Sequence, residues 1–345
     1  MKIALVHDDL VQWGGAERVL ETLSEIFPEA PIYTLVYDEN NEIIKEKFGS
    51  KKIITSFLQK FPGWKNFYKP LFFLHPLAFE QFDFTGFDLV ISQTTRFAKS
   101  IITKPETKHV CFCHTPPRFL WGFSGEKKHW YFNFLQKFDN ISSYRVDSWI
   151  AGSKNAQNRI KAVYGFDSKV IYPFVDIEKF KDITPFDGGY LLVVSRLNAY
   201  KRIDLVVKAA NQLKIPLKIV GTGPENGNLQ KLAKRNVDFL GMLDEKTLDL
   251  VLSGCKALII AGEEDFGLTS LEAQVLGKPV IAFKKGGVLE TVLEGETGYL
   301  FEEQTVNSLV ESLKLLEENG YNLKRCLIQA KKFSKQKFMK EFQNL

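Results

Sequence analysis

Residues Ala257-Leu258-Ile259-Ile260-Ala261-Gly262-Glu263-Glu264-Asp265-Phe266-Gly267-Leu268-Thr269-Ser270-Leu271-Glu272-Ala273 change character twice within one short span. Ala257 to Ile260 is an apolar run of strand length, Gly262 breaks it, and Phe266, Leu268, Leu271, Val275 and Leu276 then recur at helical spacing. The stretch therefore predicts a strand, a turn and a helix. Glu264 and Glu272 stand eight positions apart across that helix start. On a helix axis, eight residues at about 1.5 Å each cover roughly 12 Å, comparable to the reach from a nucleotide's ribose to a hexose across a diphosphate. One carboxylate would hold each end. The backbone N–H groups around Phe266, Gly267 and Leu268 would receive the diphosphate between them. Taken alone, the same spacing also fits a solvated amphipathic helix, so the neighbouring segments decide.

Outward from this unit, the pattern repeats. In the second half, strands are readable at Leu191 to Val194, Leu217 to Val220, Val237 to Leu240 and Pro279 to Ala282, each followed by a turn and an amphipathic helix. The first half opens with a strand, Ile3 to Val6, a loop with Gly14-Gly15, and a helix whose apolar face is Val19, Leu20, Leu23, Ile26 and Phe27. Further strands are expected at Ile32 to Val36, Leu89 to Ser92, His109 to Cys113 and Trp149 to Ala151. Repeated βα alternation implies an α/β protein with parallel sheets covered on both faces and ligand loops at the carboxyl ends of the strands. The Pro- and Asp-punctuated stretch from Tyr172 to Gly189 reads as a hinge, giving domains 1–172 and 173–329 that would face each other across a cleft.

Candidate chemistry lies on those loops. Ser195-Arg196-Leu197-Asn198-Ala199-Tyr200-Lys201-Arg202 leads from a strand into the helix Asp204 to Asn211. The Arg196 guanidinium suits phosphate oxygens, and the Lys201 ammonium can neutralise the charge on a departing diphosphate. Gly221 and Gly223 form a turn that would let a base or ribose approach the backbone. Gly14-Gly15-Ala16-Glu17 opens the first helix, where small residues admit an anion or a sugar or simply make a tight turn. His114 follows the strand His109 to Cys113 and is expected at the cleft rim as a sugar contact. Gly286-Gly287-Val288-Leu289-Glu290-Thr291 stands at another helix start, where it could cap a phosphate or its own helix.

Composition narrows the classes. With 345 residues, 45% of them hydrophobic, the chain is long enough for two cores of ordinary size. A net charge of +5 suits a phosphorylated ligand or an anionic membrane surface and falls short of a nucleic-acid signature. The four cysteines lack paired metal spacing, so no metal and no disulfide framework is expected, and Cys111 and Cys113 read as core thiols. The N-terminus holds only the short apolar run Ile3 to Val6, so a cytoplasmic chain is expected, and with no apolar run near the roughly 20 residues that span a bilayer any membrane contact would be peripheral, on the inner face. The first βα turn lacks G-x-G-x-x-G, which argues against a nicotinamide oxidoreductase.

Together these segments resemble the retaining glycosyltransferases of family 4, whose fold is GT-B: two Rossmann-like doubly wound domains facing a cleft. The resemblance rests on Gly14-Gly15-Ala16-Glu17, His114-Thr115-Pro116, Arg196 with Lys201, Glu264 to Glu272, and Gly286-Gly287 through Glu290-Thr291, in the family's order. It implies that Arg196 and Lys201 bind the donor diphosphate, Glu272 the ribose, and that Glu264 lies beside the transferred sugar. Cys113-His114-Thr115-Pro116-Pro117-Arg118-Phe119-Leu120-Trp121 and Glu264-Asp265-Phe266-Gly267 are similar to a subgroup of bacterial mannosyltransferases of surface polysaccharide synthesis. Gly122 departs from that subgroup, which commonly has Asp after the Trp. The resemblance further implies that the last helix, around Phe333 to Phe342 and within 330–345, packs back on the first domain. It makes GDP-mannose the leading donor, a UDP-hexose the alternative, and a glycan or lipid-linked oligosaccharide the acceptor. With no D-x-D triplet in the chain, no metal cofactor is expected. A nucleotide-sugar epimerase and a catalytically silent assembly partner are the competing classes.

One further segment stands apart. Phe57 to Phe73 interleaves aromatic residues with Lys60, Lys65 and Lys69, and reads either as core or as a surface for anionic lipid.

Overall fold

The computed structural model describes residues 1–123 and 132–344. The chain divides into two compact units, the first made of Met1–Tyr172 together with the chain from Met339, the second of Pro173–Phe338.

In the first unit the strands are β1 (Ile3–His7), β2 (Ile32–Thr34), β3 (Ile53–Thr55), β4 (Leu89–Thr94), β5 (Lys108–Cys113), β6 (Ser148–Ala151) and β7 (Lys169–Val170). They form a seven-stranded sheet in the order β3-β2-β1-β4-β5-β6-β7. Every pairing is parallel. β1 and β4 lie at its centre, with Leu5 opposite Ile91 and His7 opposite Gln93. Their apolar runs are buried on both faces, as a parallel sheet clothed by helices requires. One core cluster joins Ala4, Val6, Tyr33, Val90 and a set of phenylalanines including Phe79 and Phe97. Another gathers Cys111, Cys113, Trp149 and Tyr164. Burial pushes the Cys111 thiol up to about 12 and the Cys113 thiol well above its ordinary value, so both behave as core groups.

The second unit contributes β8 (Tyr190–Val194), β9 (Leu217–Val220), β10 (Val237–Gly241), β11 (Cys255–Ile260), β12 (Val280–Phe283) and β13 (Gly298–Phe301). Their order is β10-β9-β8-β11-β12-β13, again all parallel. In both sheets the chain winds one way from a central strand and then returns to wind the other way. The strand order therefore reverses between β1 and β4 and between β8 and β11, and ligands of open α/β sheets bind at the carboxyl ends beside such reversals.

Several boundaries differ from the sequence reading. β2 stops at Thr34, not Val36, where the Ser56 hydroxyl donates to the Leu35 carbonyl at 2.8 Å; the chain rejoins the extension of β1 only at an isolated bridge between Leu10 and Tyr37. β12 starts at Val280, since Pro279 has no N–H and gives the ladder only its carbonyl, to Leu258 at 3.0 Å. Strands β3, β7 and β13 were not anticipated. The helix Lys335–Gln343 carries Phe338, whose ring lies 5.0 Å from Phe174 in the second unit, and Phe342, 5.6 Å from Phe112 in the first. Among the described residues no helix is long and apolar enough to cross a membrane.

Candidate functional site

Four loops leave the carboxyl ends of the second unit's strands, and glycines stand where they meet. A methyl group on Gly221 would fall 2.0 Å from the Ser195 carbonyl oxygen, and one on Gly223 would fall 2.5 Å from that of Leu197. The loop after β9 thus lies backbone to backbone against the loop after β8. Gly262 does the same for the loop after β11, where a methyl would meet the Lys201 Cα at 2.7 Å. Gly286 and Gly287 press the loop after β12 onto Glu264 and Phe266, with methyl positions 2.3 Å from the Glu264 oxygen and from the Phe266 Cα. The Gly287 N–H donates to that Glu264 carbonyl at 2.8 Å. Gly221 and Gly223, read from sequence as room for a base or ribose, are also positions where a side chain would collide with the neighbouring loop.

This stack sets two charged groups together. Lys201, at the end of the 3₁₀ turn Ala199–Lys201, puts Nζ 2.5 Å from Glu264 Oε1. The Lys201 side chain is only 11% exposed and that of Glu264 25%, so the pair is partly withdrawn from water. With Ser195 and Gly262 it lines a small pocket between the ends of β8 and β11. Arg196 is exposed, its guanidinium 3.5 Å from the Tyr200 hydroxyl. A cation pair on one loop and a carboxylate on the next, at the reversal point of a parallel sheet, is an arrangement that can receive a diphosphate.

The helix after β11 runs Leu268–Val275, with Gly267 before it at φ +91°. That left-handed value suits glycine, and glycine brings no side chain to cap the first N–H groups of the helix. Glu264 therefore precedes the helix, pairing with Gly286 in an isolated bridge. This corrects the helical estimate of the Glu264 to Glu272 separation, which assumed one continuous axis. Glu272 lies in the second turn and is buried. The Asp249 carboxyl is raised by burial and, among lesser causes, by the Glu272 charge, while Lys179 at 3.1 Å from Asp249 opposes the rise. The Phe266 ring is buried 5.4 Å from that of Phe333, which leaves only its backbone available to a ligand. Ser270 donates to the Gly267 carbonyl and contacts the Thr291 hydroxyl at 2.7 Å, while Gln274 donates to the Thr291 carbonyl at 2.9 Å. These bonds bolt Gly286 to Thr291 onto the helix. Sequence reading missed both this network and the packing role of Gly262, because neither carries a charge signal.

In the first unit the corresponding end of the sheet carries His7, Gln93 and His114. Gly14 precedes the helix Gly15–Ile26 in extended conformation, and Glu17 is buried with Oε1 3.7 Å from His7 Nε2. Gln93 Nε2 lies 2.6 Å from both the Ala16 carbonyl oxygen and His114 Nε2. The segment after β5 is tied at both ends, Thr115 accepting from the buried Arg159 at 2.9 Å and Trp121 donating to Asp139 at 2.8 Å. Asp139 is itself buried, paired with Lys99 and accepting from Tyr164 at 2.7 Å. Gly122 ends the short helix Arg118–Trp121 at φ +77°, a conformation that aspartate adopts less readily. Gln93, which joins the Ala16 carbonyl to His114, is a residue that the sequence reading did not single out.

The fold is GT-B, with two Rossmann-like parallel-sheet domains. The glycosyltransferase family 4 model matches residues 13–179 and the glycosyl transferases group 1 model residues 176–333, so the chain is a family-4-type glycosyltransferase. An uncharacterized glycosyltransferase of Methanocaldococcus jannaschii is 29% identical over 57% of each chain, so the alignment spans little more than half that relative. The alpha-1,3/1,6-mannosyltransferase ALG2 of Mus musculus is 25% identical over 88% of this chain and 85% of its own. Among solved structures, HepE of Anabaena in complex with UDP superposes with a TM-score of 0.74 at 18% identity, covering 100% of this chain and 99% of HepE.

Proposed function

We propose that the protein is a retaining hexosyltransferase that takes mannose from GDP-mannose and passes it to a hydroxyl of a glycan or lipid-linked oligosaccharide. The observation that carries this reading is the Lys201–Glu264 pair at the reversal point of the second sheet, 2.5 Å apart and held by glycine contacts on both sides. A diphosphate entering there competes with Glu264 for Lys201. As the bond between the anomeric carbon and the diphosphate breaks, the diphosphate keeps the electron pair, and Lys201 with Arg196 meets the growing charge without a bound metal. Glu264, released from its partner, serves the transferred sugar, and Glu272 takes the ribose. His114 contacts a sugar hydroxyl. The mannosyltransferase ALG2 supports mannose as the sugar, whereas the UDP held by HepE keeps a UDP-hexose as the second reading.

Heating the protein with a panel of nucleotide sugars tests the donor, because a ligand that binds only the native state raises apparent stability. GDP-mannose is expected to protect most, with and without chelator. Protection by no nucleotide sugar would sink the reading, and isomerisation of a donor without acceptor would move the protein to the epimerases.

We further propose a cytoplasmic enzyme that meets its acceptor on an anionic membrane, through Phe57 to Phe73. Leu58 and Tyr68 of this segment are buried, but Phe61, Phe67 and Phe73 are 46%, 55% and 51% exposed among the exposed Lys60, Lys65 and Lys69. Lys65 also pairs with Asp38 at 2.7 Å, which tempers its contribution. Each basic residue near such a surface is worth about 1 kcal/mol. The protein is expected to cosediment with anionic liposomes and to be released by high salt. Replacing Lys60, Lys65 and Lys69 together by Glu should abolish binding while leaving donor protection unchanged. Equal sedimentation with neutral vesicles, or none with either, would overturn the membrane assignment.

A further inference from the structure

We propose that Gln93 holds His114 as the neutral imidazole with its proton on Nδ1, so that His114 acts as a hydrogen-bond donor through Nδ1 and is closed to proton transfer through Nε2. The geometry starts from the sheet. In register, His7 stands opposite Gln93 and Gln93 opposite Phe112, which places Gln93 between the first and fifth strands at their carboxyl ends. His114 follows two residues after Phe112, with its backbone N–H on the Thr94 carbonyl at 3.0 Å and its ring edge-on to Phe112 at 4.9 Å. Gln93 is fully buried, so its amide cannot exchange partners with bulk water.

One atom of that amide makes two contacts, at 2.6 Å to the Ala16 carbonyl oxygen and at 2.6 Å to His114 Nε2. Which end of a glutamine amide is nitrogen must be settled from its partners. A carbonyl oxygen only accepts, so the group facing Ala16 must be the NH₂; an oxygen there would set two acceptors 2.6 Å apart in a buried site. The second hydrogen of the same NH₂ points to His114 Nε2, which must then offer its lone pair. A proton on Nε2, in either the other tautomer or the imidazolium, would bring two N–H groups head to head. The turn Gly14-Gly15-Ala16-Glu17 thereby acquires a second role, since the Ala16 carbonyl sets the amide and the amide sets the imidazole. Gln93 is a positioning residue in this account, acting through His114.

The functional consequence rests on the proposed transferase reading; the tautomer does not. If His114 contacts a sugar hydroxyl, it donates to that oxygen through Nδ1 and removes no proton from it.

The test is imidazole nitrogen NMR on the full-length protein with labelled histidine, His114 being assigned by the resonance lost in His114→Gln. The expected spectrum shows a pyridine-type Nε2 and a protonated Nδ1 for His114, the reverse of the tautomer that dominates in free histidine. Protonated Nε2 in the native protein overturns the proposal, and needs no variant to do so. Gln93→Leu removes the donor, and His114 is then expected to move to the Nε2–H form while turnover falls about tenfold. Gln93→Asn, polar but too short to bridge, should shift the tautomer in the same direction if the leucine variant does not fold. An unchanged tautomer in a folded variant also overturns the role of Gln93. The spectroscopic arm requires no substrate, so its failure counts against Gln93 alone, whereas absence of sugar transfer by the native protein counts against the enzyme reading alone.

Discussion

Lys201→Ala is expected to lower kcat by roughly 10- to 150-fold, the equivalent of about 1.5 to 3 kcal/mol for a charge-assisted contact that strengthens in the transition state. The substitution also leaves Glu264, only 25% exposed, without the ammonium that now sits 2.5 Å from it. A repelled diphosphate would then raise KM as well. Glu264→Gln separates the two effects, because it keeps Lys201 available and removes only the carboxylate assigned to the sugar; kcat should fall with KM little changed. Glu272→Gln should do the opposite and mainly raise KM, since the ribose is held equally before and during reaction. Arg196→Ala should act in the same direction as Lys201→Ala. Steady-state kinetics of the four variants, each checked for folding, decides the matter. Unchanged turnover in both Lys201→Ala and Arg196→Ala would remove the diphosphate from this site, and exchanged phenotypes for the two glutamates would reverse the donor's direction.

The sequence disclosed the repeating βα pattern because parallel strands buried on both faces are written as short apolar runs, and Leu217–Val220 has the same bounds in sequence and structure. Lys169–Val170 and Ile53–Thr55 escaped notice because two or three residues carry no periodicity. Of the site, the charged members were legible: Arg196, Lys201, Glu264 and Glu272 declare their chemistry by residue type and spacing. What the sequence hid was the reason Lys201 and Glu264 meet. That reason is glycine at 221, 223, 262, 286 and 287, where the relevant fact is the backbone of another loop within 3 Å of the missing methyl group. Such contacts join residues far apart in the chain, and nothing in the local pattern of a glycine says what lies above it. Gln93 was hidden for a similar reason, as an amide on a buried strand whose partners come from a helix and from the loop after a different strand.

Gly287→Ala is therefore expected to do more damage than its one added methyl suggests. The new Cβ would lie 2.3 Å from the Phe266 Cα and 2.5 Å from the Asp265 carbonyl oxygen, both backbone atoms that no rotamer change can move aside. Nor can the loop simply lift away. The Gly287 N–H is held by the Glu264 carbonyl at 2.8 Å, and Thr291 is held by Ser270 and Gln274. Overpacking of this kind costs about 1 to 3 kcal/mol of stability. The strain also falls on Glu264 and Phe266 themselves, so activity should drop by a further factor at temperatures where the variant is still folded. Gly227→Ala is the matched control. Gly227 lies in the helix Asn226–Leu232, and a methyl there would meet nothing within 4 Å. Replacing a helical glycine by alanine should be neutral or stabilise by about 0.5 to 1 kcal/mol. Chemical unfolding gives the first quantity and kinetics below the transition gives the second. If the two alanine variants prove equally stable and equally active, the glycine contacts do not hold the site, and the close approach of Lys201 to Glu264 must have another cause.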